Sequence, residues 1–404
     1  MAHSIALDPN RRQSEYFSRA AGTARFAWNN ALAMWNEEYR ANGKADPGEL
    51  RRRFNSTRRE EFPWMGEVSN YVYAYPWIQL RRAFSAFFRK KARHPKFRAK
   101  RRGPESFYVC HREMGFDGRT LRLGPRKFKL GPIRMREELR FRGKVMGATV
   151  RRDAGRWLIS VQVDVGDHRK DRVADGEIGV DLGITTLATL STGEKIEGPK
   201  PLRKALGRLR RRSRQHSRKR KGSNNREKSR LRLARLHRRI RNIRKDALHR
   251  LTTRLCRENQ AVAVEDLSVR GMMRNGRLAR HIADMGWHEF RRQLGYKCLI
   301  YGTRLTVADR FFPSSKRCSA CGAVRAELPL GERAYRCPEC GLGLDWDLNA
   351  ARNLLGLLEV PVNDGELGPG QARTRTPVER KALAAVSAAK PRLAEAGTYS
   401  ASCN

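Results

Sequence analysis

The sequence predicts a multidomain α/β protein, and three observations predict it. Short segments of alternating apolar and polar residues run from 107 to 165. A carboxylate-bearing hairpin at 177–193 precedes long basic helices, two further strands and a closing helix. Two CxxC pairs sit between the last strand and that helix. At 404 residues the chain is long enough for two or three cores. It carries 86 Lys and Arg against 41 Asp and Glu, a formal charge of +45. Such a surface repels itself when free and gains by neutralising phosphates, so nucleic acid is the expected partner. No apolar run approaches the roughly 20 residues of a membrane-spanning helix, and no secretory apolar segment follows Met1. A cytoplasmic, nucleoid-associated protein is expected, with no membrane partner.

In chain order, residues 1–10 read as a strand ending at Asp8-Pro9-Asn10. Residues 11–42 read as a helix through Phe17, Ala21, Phe26, Leu32 and Trp35, stopped by Gly43. A second helix is expected over about 75–91, with Trp77, Leu80, Phe84, Phe87 and Phe88 as its core stripe. Arg81 and Arg82 lie on the face that could meet phosphate. The segments SFYV, TLRLG, FKLGPIRMR and a hairpin turning at Asp153-Ala154-Gly155 suggest a small barrel, an architecture that often binds nucleic acid. Residues 166–176 have no apolar periodicity and read as a linker.

The hairpin EIGVDLGITTLATLSTG places Asp181 between Val180 and Leu182, with Gly183 as its turn. An acid on an apolar strand either faces solvent at the strand end or needs a cation. Residues 201–250 then hold 22 Lys and Arg against Glu227 and Asp246. Leu233, Leu236, Ile240, Ile243, Ala247, Leu251 and Leu255 nonetheless lay an apolar seam along one helix. An antiparallel basic helix pair over 201–256 is expected, with Arg210, Arg214, Arg235 and Arg239 turned to a nucleic-acid backbone. Ala261 to Val264 form a strand ending in Glu265 and Asp266. Residues 281–302 form one helix, 303–310 another strand, and 359–404 a disordered tail.

Cys318, Cys321, Cys337 and Cys340 have zinc-ribbon spacing, and four thiolates leave a metal no open position, so the zinc would be structural. Cys110, Cys256, Cys298 and Cys403 stand alone and read as buried apolar residues. After the ribbon, Asp345 and Asp347 stand where a helix begins. Capping accounts for Asp345; Asp347 is assigned to chemistry. Asp181 on a first strand, Glu265 at the end of a later one and Asp347 at a helix start describe an RNase H layout. Three converging carboxylates call for cations between them, here two Mg²⁺.

With Gly179-Val180-Asp181-Leu182-Gly183, Val264-Glu265-Asp266-Leu267, Phe312-Pro313-Ser314-Ser315-Lys316 before the ribbon, and Asp345-Trp346-Asp347-Leu348-Asn349-Ala350, the chain resembles the TnpB family over nearly its whole length. That family comprises transposon-associated RNA-guided DNA endonucleases, and is similar to the miniature type V CRISPR effectors. Pro9-Asn10, Gly22-Thr23-Ala24-Arg25-Phe26, Asn29 and His94-Pro95-Lys96-Phe97-Arg98 add to the match. Trp346 departs from it, since a basic residue is usual there.

The resemblance implies a wedge-like β-barrel at 1–10 and 94–165 holding a helical recognition insert at 11–93. It implies a RuvC-like (RNase H fold) nuclease domain at 177–316 and 342–358, and a zinc ribbon at 317–341. Asp181, Glu265 and Asp347 would be catalytic and hold Mg²⁺. A structured guide RNA, one protein copy per RNA or a dimer, would pair with target double-stranded DNA. Asn70, Tyr71 and Tyr73 would read a short motif beside the target. The alternative is an RNA-guided DNA-binding repressor with weak or no cleavage. A transposase acting through a tyrosine would need a His-x-His pair, which the sequence lacks.

Overall fold

The computed structural model describes residues 1–100, 103, 105–128, 130–166, 175–327 and 333–359. The expected tail and most of the expected linker lie outside them. The chain divides into two compact units, one formed by residues 1–167 with 230–235 and the other by the remainder.

In the first unit, β1 (Ala2–Asp8) feeds α1 (Arg11–Asn42) through a capping box, Asn10 and Gln13 each accepting at 2.9 Å from the other's backbone N–H. Gly43, at φ 66°, ends the helix with its N–H on Tyr39 O. Helix α2 (Pro47–Glu61) starts on Asp46, and α3 (Asn70–Phe88) on Ser69, whose hydroxyl accepts from Tyr71 N. Helix α3 therefore begins about five residues before its apolar stripe suggests. Pro76 sits inside it, a residue that argues against extending a helix backwards, whereas the Ser69 cap decides the start.

Strands β2 (Ser106–Cys110), β3 (Met114–Asp117), β4 (Thr120–Leu123), β5 (Ile133–Met135), β6 (Lys144–Asp153) and β7 (Arg156–Asp164) complete an antiparallel sheet in the order β2-β6-β7-β1-β5-β4-β3. Ala154 and Gly155, at φ 50° and 82°, turn β6 into β7. Trp157, Ile159, Val161 and Val163 are buried as their alternation requires, with Phe17 edge-on to Trp157 at 5.3 Å. Among the described residues no ladder joins β2 to β3, so the expected barrel is a near-barrel: its two edge strands are consecutive in the chain, linked only by the turn His111–Glu113.

In the second unit, β8 (Gly176–Asp181), β9 (Ala188–Leu190) and β10 (Lys195–Ile196) are followed by α4 (Pro201–Ser217) and α5 (Asn224–Glu258). Next come β11 (Asn259–Val264), α6 (Val269–Met272), α7 (Ala279–Met285), α8 (Trp287–Tyr301), β12 (Arg304–Val307), β13 (Ala334–Arg336), β14 (Gly343–Asp345) and α9 (Trp346–Glu359). The main sheet runs β10-β9-β8-β11-β12, with β8, β11 and β12 parallel. β8 and β11 alternate large and small residues. Ile178, Val180, Val262 and Val264 pack with Leu248, Leu251 and Phe290 on one face, while Ala261 and Ala263 meet Leu354 of α9 on the other.

Several expectations change. The linker ends by Gly176, which already opens β8, and the β8–β9 connection takes residues 182–187 rather than a tight turn at Gly183. The helix expected over 281–302 is two helices, because Gly286 at φ 75° ends α7. Ile243 leaves the apolar seam of α5 and is 41% exposed. Helix α4 buries only Pro201, and packs on α7 where Asp284 accepts at 2.9 Å from the N–H groups of Leu202 and Arg203. A buried carboxylate from another helix thus caps its positive end.

Candidate functional site

The sheet's parity decides where the acids point. Val180 pairs with Val264 across the parallel β8–β11 ladder, so Asp181 and Glu265 follow side by side at the C-terminal edge of both strands. Two-residue periodicity puts them on the face of Gly179, Ala261 and Ala263, the face covered by α9. A Cβ on Gly179 would collide with Ala351 O and Leu355 N, so the glycine lets α9 lie directly on β8. Asp347 is in the first turn of that helix.

The electrostatics match this placement. Asp181, 9% exposed, is held well above the usual carboxylate range, first by burial and then by Glu265, Asp347 and Asp345. Burial also raises Glu265, against the hydroxyl of Ser314, which donates to Glu265 Oε1 at 2.5 Å. Asp347 is raised by burial and by Asp345, and eased by Lys195 and Arg333. Asp345 accepts from Leu348 N at 3.2 Å, capping α9, and from Lys195 Nζ at 2.7 Å. Lys195 was not singled out in the sequence, since a lysine on a two-residue strand carries no pattern there; Ser314 stood only within the Phe312–Lys316 motif, with no role of its own.

The ligand atoms of the four cysteines all lie within 4.8 Å of one another, a grouping that could hold a metal ion. Cys318 and Cys340 Sγ are 3.6 Å apart, Cys321 and Cys337 3.5 Å. Zn–S bonds of about 2.3 Å put tetrahedral sulfurs about 3.8 Å apart, so these thiols fit zinc. Gly322 and Gly341, at φ 78° and 71°, turn each knuckle back. The centre is tied to α9: buried Asn349 accepts from Ser319 N at 3.0 Å and donates to Arg317 O at 2.7 Å, and Asn353 donates to Ser314 O at 2.8 Å.

Among the expected nucleic-acid contacts, Arg81, Arg82, Arg210, Arg214, Arg235 and Arg239 are exposed. Asn70 and Tyr71 open α3 instead of preceding it. Tyr73, expected as a contact, is instead 5% exposed, lies under Arg58 and donates to Asn70 Oδ1 at 2.6 Å, so its side chain belongs to the core. No described helix is long and apolar enough to cross a membrane.

Three family models match the sequence: "Probable transposase" over residues 160–276, "Cas12f1-like, TNB domain" over 287–354 and "Helix-turn-helix domain" over 1–44. The last description does not fit what those residues form, a strand and one 32-residue helix. A protein of Streptomyces pristinaespiralis named "Putative RNA-guided DNA endonuclease" is 39% identical over 91% of this chain and 92% of its own length. The similarly named InsQ of Escherichia coli K12 is 33% identical over 91% and 94%. The structure of a Cas12f1-sgRNA-target DNA complex superposes with a TM-score of 0.54 at 14% identity, covering 86% of this chain and 83% of the other, a likeness of fold. On the strength of relatives matched over nine-tenths of its length, the chain belongs to the TnpB family.

Proposed function

We propose that this protein is an RNA-guided DNA endonuclease: it binds a structured guide RNA, recognises a short target-adjacent motif and cleaves DNA in a RuvC-like site at Asp181, Glu265 and Asp347. The observation that carries the reading is the Val180–Val264 register, which sets two acids side by side beneath the helix that bears the third. The strand order, three parallel strands extended by an antiparallel pair, agrees with an RNase H fold. The relatives' names and the Cas12f1 likeness agree as well.

The donor set suits hard divalent cations. Three acids, all shifted toward protonation, offer the oxygen ligands that such cations take, and would hold two of them. Two bound Mg²⁺ would supply a hydroxide nucleophile and neutralise the leaving 3′ oxygen of an in-line displacement. Asp181, the most buried of the three and near both other acids, would be a central ligand. Ser314 fixes one oxygen of Glu265 and leaves the other to ligate. Lys195 holds Asp345 as the cap of α9, so Asp347 keeps its carboxylate for the site. The cysteine quartet would hold a structural Zn²⁺. The exposed arginines of α3, α4 and α5 supply phosphate contacts for guide and target.

Purifying the protein with its bound RNA and sequencing that RNA tests guiding, and random cellular RNA would oppose it. Asp181→Ala should abolish cutting while RNA and DNA binding persist; a pure variant that still cuts refutes the assignment. A guided binder that does not cut is the weaker reading, because all three acids are present.

A further inference from the structure

The loop after β12 holds an aromatic ring where the fold has no use for it. Ala308 N donates to Val264 O at 2.9 Å, fixing the start of the loop beside the end of β11. Asp309 Oδ1 accepts from Phe311 N at 2.9 Å, closing an Asx turn. Arg310 Nη2 donates to Asp266 Oδ2 at 2.7 Å, on the residue after Glu265, and Ser314 grips Glu265 itself. Phe312 packs against the cluster of Ala261, Ala263 and Leu354. Between these anchors Phe311 is 88% exposed, where the next most exposed large apolar side chain among the described residues, Phe97, is 59%.

A ring held in water by a loop pinned on both sides gains free energy when a partner covers it, and pinning spares most of the ordering cost. Its setting says what. Glu265 lies one residue from the Asp266 that pins Arg310, exposed Lys316 and Arg317 follow in the chain, and the protein carries +45. A polyanion is drawn to such a place, and the part of a polyanion that a bare phenyl recognises is the π-face of a base. We propose that Phe311 is a stacking platform for a nucleobase of the DNA strand delivered to the carboxylates. The proposal rests on the nuclease reading above. Stacking is indifferent to base identity, so Phe311 sets where along the strand the cut falls without choosing sequence. Phenylalanine supplies that face with no hydrogen-bonding group to prefer one base.

The test uses the full chain with its co-purified RNA, Ca²⁺ in place of Mg²⁺, and salt raised to suppress bulk phosphate binding. Single-stranded DNA carrying 5-iododeoxyuridine joins on irradiation to an aromatic ring stacked upon it. The tryptic peptide 311–316 should carry the crosslink, Phe311→Trp should keep it and Phe311→Ala should lose it. Crosslinks confined to other peptides, or unchanged in Phe311→Ala, overturn the proposal. In Mg²⁺, Phe311→Ala should slow single-turnover cutting about tenfold, within the range of one stacking contact, with Phe311→Trp near the wild type; equal rates for all three overturn it too. A wild type that cuts no guided target sinks the nuclease reading, while the crosslink still decides the role of Phe311.

Discussion

The cysteine quartet and the carboxylate trio share one unit and both suit cations, yet they are built in opposite ways. The sulfurs come from two turns 15 residues apart and already lie within 4.8 Å of one another. The acids come from β8, the end of β11 and the start of α9, and burial, with neighbouring carboxylates beside Asp181 and Asp347, shifts all three toward protonation. The cysteine group is completed by its own local chain, whereas the acids are brought to one edge by the topology of the sheet.

Asp181→Asn makes the largest break in this comparison. Cutting should fall at least about a thousandfold, as for the loss of a central catalytic group, while zinc content by elemental analysis stays at the wild-type value. Loss of zinc in that variant would mean that the two sites are not separate structures.

Cys337→Ser tests the converse. Removing one of four ligands should release the zinc and unfold the knuckles. It should also lower cutting between about 10- and 100-fold, the scale of lost supporting contacts around a metal site, because Asn349 and Asn353 join α9 to residues 314–319. Full activity in zinc-free protein would show that those bonds do not position Asp347.

Gly179→Ala acts on the carboxylate site without touching an acid. A Cβ there meets backbone of α9, so stability should drop by about 3 kcal/mol, the upper range for an overpacked core. The melting temperature should fall, and cutting should fall with it at temperatures where the variant is still folded. An unchanged melting curve would mean that α9 does not rest on that residue.

These contrasts also explain what could be read from the sequence. The cysteine spacing is local, so it was legible as it stands. That Asp181 and Glu265 end adjacent strands and Asp347 opens the closing helix could be expected, because each ends or begins a recognisable element; that Gly179, Ala261 and Ala263 form the face α9 covers emerged only with the structure. What stayed hidden depends on contacts that no pattern carries: the start of α3, set by one serine ahead of an internal proline; the break at Gly286, read as part of a continuous helix; Tyr73, an apparent surface aromatic that is buried and bonded to Asn70 in the helix's first turn; and the parts played by Ser314 and Lys195, which act through the acids they hold.

The smallest effect sharpens the comparison most directly. Asp181 binds its proton more tightly in the folded chain than in the unfolded one, since burial and then Glu265 and Asp347 raise it above 3.8. In buffer free of divalent cations, the folded state then holds more protons than the unfolded state from pH 3.8 upward to the raised value. Stability must fall as pH climbs through that window, by roughly 1.4 kcal/mol for each pH unit of the shift. Asp181→Asn removes the proton and should flatten this part of the profile. Mg²⁺ should flatten it in the wild type by stabilising the ionised form. Melting curves between pH 4 and 8, with and without Mg²⁺, decide the matter: a wild-type profile that ignores the cation would mean that these carboxylates do not share one.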